Sequence, residues 1–173
     1  MTTRTIDVFN GDADGLCALH QLRLAEPVDS ELVTGPKRDI SLLKRVKAQA
    51  GDRVTVLDIA LSKNRDALDK LLEAGAQVRY FDHHQPGDIP VHPHFEPHID
   101  TDANVCTSLL VNQYLQGKQL AWAVAAAFGD NLADAARQAA APLNLSADQL
   151  AQLQSLGECL NYNGYGETLD DLF

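Results

Sequence analysis

Arg53 to His84, RVTVLDIALSKNRDALDKLLEAGAQVRYFDHH, reads as a strand, a helix and a second strand in succession. Arg53 to Ile59 is a short β-branched and apolar run, the pattern of a strand buried on both faces. Ser62 stands where a helix N-cap belongs, Leu68, Leu71 and Leu72 share one helical face, and Gly75 supplies the stop. Gln77 to Phe81 is the second strand. A connection of this length crosses over and returns, so the two strands are expected to be parallel.

Outward from this unit the alternation continues. Thr5 to Phe9 is a strand, Asp14 to Ala25 a helix with Leu16, Leu19 and Leu22 on one side, Glu31 to Thr34 a weaker strand, and Asp39 to Ala50 a helix. Gln85 to Pro97, rich in Pro and His, is expected to be a loop with a short fifth strand near its end. Beyond it the pattern is helical: Ala103 to Leu115, Ala121 to Phe128, Ala133 to Ala140, and a last helix opened by the capping box Ser146-Ala-Asp-Gln149 and running to about Leu160. The expected class is α/β: a doubly wound, mostly parallel sheet of about five strands, helices on both faces and a helical C-terminal part. Residues 1–160 would form one domain; 161–173 read as a linker or the start of a further C-terminal domain.

The chain has 173 residues, 45% of them hydrophobic and 22% charged, which suits one domain with a core of its own. No apolar run approaches the roughly 18 residues of a membrane span. The N-terminus lacks the basic and apolar regions of a signal peptide, so the expected setting is cytoplasmic, with no membrane partner. A net charge of -10 works against binding long double-stranded nucleic acid. It does not exclude a phosphorylated substrate, because carboxylates that hold divalent ions can present a positive surface. Cys17, Cys106 and Cys159 fit neither a disulfide framework nor a zinc spacing and read as buried helical thiols. No oligomeric state is legible.

Ligand-type side chains cluster at strand ends. Asp12 and Asp14 follow the first strand, Asp58 lies at the end of the third, and Asp82, His83 and His84 follow the fourth. With the strand order 2-1-3-4-5 these ends are neighbours at the rim where α/β sheets collect ligands. Packed carboxylates repel one another unless divalent cations lie between them. Oxygen and imidazole donors suit Mn²⁺, Mg²⁺ or Co²⁺, and an Asp-X-Asp turn can address two ions at once. Each piece alone has a simpler reading: helix-start acids for Asp12 and Asp14, a loop residue or cap for Asp58.

The segments FNGDADGLCALHQL from Phe9, VLDIALS from Val56, YFDHHQ from Tyr80 and AFGDN from Ala127 together resemble the DHH phosphoesterase superfamily. The resemblance spans Ile6 to about Asn131. It implies a two-metal phosphoesterase, with Mn²⁺ the first choice of ion. Asn10, Asp12 and Asp58 would hold one cation, and Asp14, Asp58, His83 and Asp130 the other. His84 would face the substrate phosphate, with Asp82 supporting the histidine pair. The implied substrate is a short oligonucleotide or small nucleotide, cleaved at a phosphodiester or phosphoanhydride, and family members usually carry a further C-terminal domain.

Asn10 departs from the pattern, since most of the family has histidine there; a neutral amide oxygen is expected to make a weaker first site. The rival reading is a binding or scaffold protein that keeps the fold without turnover. A nucleotide-binding module of another kind would need a glycine-rich phosphate loop, which NGDADG is not.

Other residues have two readings each. Lys37 and Arg38, in the loop Gly35 to Arg38, would contact a substrate phosphate or open the next helix as a solvated pair. Thr107 and Ser108 occupy positions that the resemblance places near substrate. Asp100 and Asp102 precede a helix expected at Ala103, where N-capping explains one of them. His92, His94 and His98 form an extra metal site or a solvated loop, and Trp122 belongs to the core or a domain interface.

Overall fold

The structure, a computed structural model, describes residues 3–164. Strands β1 (Thr5–Asn10), β2 (Glu31–Gly35), β3 (Arg53–Leu57), β4 (Gln77–Asp82) and β5 (Phe95–Ile99) form one sheet in the order β2-β1-β3-β4-β5, and every neighbouring pair is parallel. The helices are α1 (Ala13–Ala25), α2 (Leu61–Glu73), α3 (Thr107–Tyr114), α4 (Leu120–Gly129), α5 (Ala133–Ala140) and α6 (Ala147–Asn163). No described helix is long and apolar enough to cross a membrane.

Period-two alternation along the strands sorts the side chains to two faces. Ile6, Val8, Val54, Val56, Val78 and Tyr80 point to the face covered by Leu61, Leu68, Leu71 and Leu72 of α2. Phe9, Leu57 and Phe81 point the other way, onto Leu19 and Leu22 of α1 and Val111 of α3. Each such side chain, fully buried, contributes about 1.5–3 kcal/mol. Helices α4, α5 and α6 form a further layer behind α1, around Val124, Ala126, Ala127 and Phe128. Pro97 is tolerated in β5 because that strand is an edge.

Glycine sets the crossing of α4 and α6. A Cβ on Gly157 would stand 1.9 Å from the carbonyl oxygen of Ala125, and one on Gly129 would stand 2.4 Å from Ala13 Cβ. The close approach lets the C-terminal end of α6 reach the turn after β1, where Gly164 packs against Asp12 and its carbonyl accepts from Lys37 N–H at 2.9 Å.

Local readings of the sequence need correction in several places. Asp39 to Ala50 is not a helix; it holds one 3₁₀ turn, Leu42–Arg45, and leaves it through extended Val46. The adjacent Leu42 and Leu43 are both buried under the sheet, which demands a tighter turn than a helical stripe. Ser62 does not cap α2: the helix begins one residue earlier, at Leu61, behind Ala60. The third helix starts at Thr107, not Ala103, because Asp102 binds the N–H and amide of Asn104 in a turn of its own. Asp100 likewise accepts from Asp102 N–H, so neither acid caps a helix. Cys17 and Cys106 are buried, whereas Cys159 is exposed. Residues 161–163 continue α6, and most of the segment read as a linker lies outside the described residues.

Candidate metal centre

The chain reverses direction along the sheet between β1 and β3, and their carboxyl ends open the crevice in which α/β domains collect ligands. Each acid at this rim is fixed by local backbone geometry. Asp12 is the N-cap of α1, its Oδ1 accepting from the N–H groups of Asp14 and Gly15 at 3.1 Å each. Only glycine fits at position 15, since a Cβ would stand 2.1 Å from the carbonyl oxygen of Asn10. Asp14, 1% exposed, is clasped by the start of α3: its oxygens accept from the N–H groups of Thr107 and Ser108, both at 2.7 Å. A helix N-terminus favours negative charge there.

Asp58 follows β3 with φ of 58°, a left-handed conformation that Asp and Asn tolerate better than other side chains. Its N–H still donates to Phe81 across the sheet, at 3.0 Å, while the turn aims its carboxylate at the crevice. Asp82 ends β4 fully buried, and its Oδ1 lies 2.7 Å from His84 Nδ1. That hydrogen bond raises the His84 pKa against the opposing effect of burial, with Coulombic attraction to Asp82 adding to it. Asp130 caps the C-terminal end of α4.

These side chains meet. His83 Nε2 stands 3.4 Å from Asp58 Oδ1, 3.7 Å from Asp130 Oδ2 and 3.9 Å from Asp14 Oδ2. Ligand atoms of Asp14, His83 and Asp130 lie within 4.8 Å of one another, as do those of Asp58, His83 and His84. Burial, then the charges of Asp14, Asp12 and Asp130, push the Asp58 carboxyl well above its ordinary range. Asp130 is raised to about 6, by burial first and Asp14 next, with His83 and Lys37 pulling the other way.

Donor chemistry and geometry both fit a divalent cation. The crevice offers carboxylate oxygens and imidazole nitrogens, and the buried Oδ1 of Asn10 has no hydrogen-bond partner among the described residues. An orphaned buried acceptor beside clustered acids suits a cation ligand.

The rim unites Asn10, Asp12, Asp14, Asp58, Asp82, His83, His84 and Asp130, drawn from β1, α1, β3, β4 and α4. Thr107 and Ser108 are placed otherwise than a substrate contact requires. Both are fully buried; Thr107 Oγ1 donates to Asp58 at 3.2 Å, and Ser108 Oγ donates to the Asp14 carbonyl at 2.8 Å. They position the acids. Arg38 is exposed. Lys37 is the residue whose place the sequence concealed: its Nζ lies 2.8 Å from Asp12 Oδ2 and 3.7 Å from Asp130 Oδ1. His92 and His94 of the loop, and His98 of β5, are not among the side chains that meet here. His94 N–H donates to His92 Nδ1 at 3.2 Å, and His98 stacks on Phe81 and pairs with Glu96. Trp122 packs edge-on against His20 with ring centres 4.4 Å apart.

A doubly wound α/β domain with a carboxylate–histidine crevice at its switch point is the class of protein these features define. Among solved structures it is similar to the DHH domain of a member of a family of ribosomal proteins (TM-score 0.67, 14% identity, 93% of this chain and 47% of that one). It is also similar to CDC45 from Entamoeba histolytica (0.56, 13%, 83% and 35%). RecJ from Thermus thermophilus in complex with Mn²⁺ is a third (0.51, 19%, 95% and 28%). The chain shares the fold of these structures, the DHH domain among them. It spans less than half the length of each of these three. No protein-family model and no curated protein sequence matches it.

Proposed function

We propose that the chain is a metal-dependent phosphoesterase domain that hydrolyses a phosphodiester or phosphoanhydride in a short oligonucleotide or small nucleotide. Its cofactors are two divalent cations, Mn²⁺ first and Mg²⁺ or Co²⁺ as substitutes. One observation carries the reading: Asp12, Asp14, Asp58 and Asp130 converge with His83 in a crevice where Asp58 and Asp130 are held above their ordinary pKa. Such a cluster is stable as carboxylates only around cations.

Asn10, Asp12 and Asp58 are suited to one cation, and Asp14, Asp58, His83 and Asp130 to the other, with Asp58 common to both. Cations held there would supply charge neutralisation to the phosphoryl oxygens and a lowered pKa to a bound water. The chain supplies the rest. Thr107 and Ser108 N–H groups fix Asp14, and Thr107 Oγ1 fixes Asp58. His84, whose side chain is 44% exposed, turns its outer edge to the substrate side of the crevice. Asp82 favours its protonated form, which would donate to a phosphoryl oxygen or to the leaving oxygen. The catalytic domain includes α6 to Asn163, and the setting is cytoplasmic.

The test is turnover of a generic phosphodiester, a dinucleotide and pyrophosphate with added Mn²⁺, by wild type and by Asp58→Asn, which keeps the left-handed turn. Hydrolysis by the wild type that disappears in the variant is expected. Equal turnover by the two proteins sinks the assignment of Asp58. A folded wild type that binds Mn²⁺ and hydrolyses none of these supports the second reading, a DHH-fold scaffold. Asn10 and the Lys37–Asp12 ion pair favour that reading, because both weaken one cation position.

A further inference from the structure

The crevice already contains a cation, and it belongs to the protein. Lys37 Nζ reaches Asp12 Oδ2 at 2.8 Å, Asn161 Oδ1 at 3.4 Å and Asp130 Oδ1 at 3.7 Å. The acid it meets is 2% exposed and has its other oxygen tied to the start of α1. Two features show that this is not a chance fold of a surface lysine. The backbone is held in place, since Lys37 N–H donates to the carbonyl of Gly164 at 2.9 Å. Gly164 itself packs against Asp12, where a Cβ would stand 3.0 Å from the Asp12 Cα. The last turn of α6 therefore fixes the root of the lysine beside the acid it binds.

Asp12 Oδ2 is the oxygen left over for a metal once Oδ1 has capped α1. It belongs to the cation position with the poorer donor set, in which Asn10 contributes a neutral amide oxygen that has no partner among the described residues. The other position has Asp14, His83 and Asp130 within bonding range of a common ion. An ammonium at one position and a divalent ion at the other are compatible. An ammonium and a divalent ion on the same oxygen are not, because like charges at contact repel strongly away from bulk water.

We infer that Lys37 is a tethered competitor for the Asn10–Asp12 cation position. The two positions then load unequally: the one at Asp14, His83 and Asp130 fills first, and the second ion enters only by expelling the Lys37 ammonium from Asp12. Lys37 acts here as a positioning residue, setting how many ions the crevice holds at a given metal concentration. The inference rests on the metal-dependent reading above and deepens it.

The experiment is Mn²⁺ binding to the metal-free, full 173-residue chain, followed by calorimetry and by the EPR signal of spin-coupled Mn²⁺ pairs. Wild type, Lys37→Gln and Lys37→Arg are compared, with circular dichroism to check folding. The wild type is expected to bind one equivalent tightly and a second weakly. Lys37→Gln should tighten the second by about tenfold or more, the scale on which groups contacting metal ligands alter affinity, and change the first much less, because Lys37 lies 2.8 Å from Asp12 but 3.7 Å from Asp130. The coupled-pair signal should then appear at correspondingly lower Mn²⁺, while Lys37→Arg, which keeps the charge, retains the wild-type gap. Two Mn²⁺ ions with the same affinity gap in wild type and Lys37→Gln overturn the role of Lys37 and leave the metal reading standing. A wild type that binds no Mn²⁺ overturns the metal reading itself, and the inference with it.

Discussion

Buried carboxylates are handled in two ways on this one sheet. Away from the crevice, each has an arginine. Asp7, fully buried in β1, accepts from Arg23 at 2.7 and 2.8 Å and from Ser30 at 2.7 Å. Asp52, ahead of β3, accepts from the Arg4 N–H and guanidinium and from Gln49 N–H. Burial would raise the Asp52 pKa, but these hydrogen bonds outweigh it and hold the group below its ordinary value. At the crevice, four carboxylates face one another around one histidine and one lysine, and Asp58 and Asp130 are raised. The first arrangement is self-sufficient. The second has a single internal ammonium, Lys37, for its carboxylates and is left short of positive charge, the kind of imbalance that singles out a candidate functional site.

The largest effect expected from this contrast lies in the self-sufficient region. Arg23→Ala leaves Asp7 buried without its partner and should cost about 3 kcal/mol in urea denaturation. A loss well below 1 kcal/mol would erase the distinction. Mn²⁺ should act on the other region alone: at about 100 times its dissociation constant it should stabilise the wild type by roughly 2.7 kcal/mol. Asp58→Asn should lose most of that gain, whereas Arg23→Ala should keep it.

The pH dependence should separate the two regions by sign. Asp130, raised from 3.8 to about 6, binds its proton more tightly in the folded chain than in the unfolded one. The stability it provides is therefore present below 3.8 and is lost as pH rises through about 6, with Asp58 extending the loss upward. Asp52 works the opposite way: its stabilisation is complete above 3.8 and is lost as pH falls through its depressed value. The metal-free melting temperature should thus decline from about pH 4 toward neutrality, and Mn²⁺ should flatten the decline. A metal-free profile that rises steadily to pH 7 would contradict the raised values at the crevice. The smallest effect is a local one. Asp82→Asn removes the carboxylate behind His84, so the His84 titration followed by NMR should shift down, with about a tenfold loss of Mn²⁺-dependent turnover.

The centre of the sheet was legible because β1, β3 and β4 are largely buried on both faces and carry mostly β-branched, apolar and aromatic residues, whereas the edge strands β2 and β5 are largely exposed and read more weakly. The connections implied parallel strands, and the doubly wound order 2-1-3-4-5, taken as a condition, brings the strand-end acids to neighbouring ends as the structure has them. The misreadings share a physical cause. Asp39 to Ala50 has helix-compatible composition, yet Leu42 and Leu43 must both reach the core, and only tertiary packing dictates that. Asp100, Asp102 and Ser62 are good capping residues by type, but Asp100 and Asp102 satisfy turn amides of their own and α2 begins a residue ahead of Ser62. Thr107 and Ser108 looked like substrate contacts because they are small and polar. Their amides instead face Asp14 across a separation of more than ninety positions, for which no local signal exists. Lys37 was singled out, but for a phosphate; that its partner is Asp12 depends on where α6 ends. Asn161, beside Lys37 and read as the start of a linker, belongs to that same helix end.

The glycine crossing of α4 and α6 has a consequence for biosynthesis. Asn10 and Asp12 leave the ribosome early, but the helix that seats Lys37 against them emerges last. At about 5–20 residues per second the interval is on the order of ten seconds or more. Throughout it the nascent chain carries several strand-end acids with no lysine seated among them.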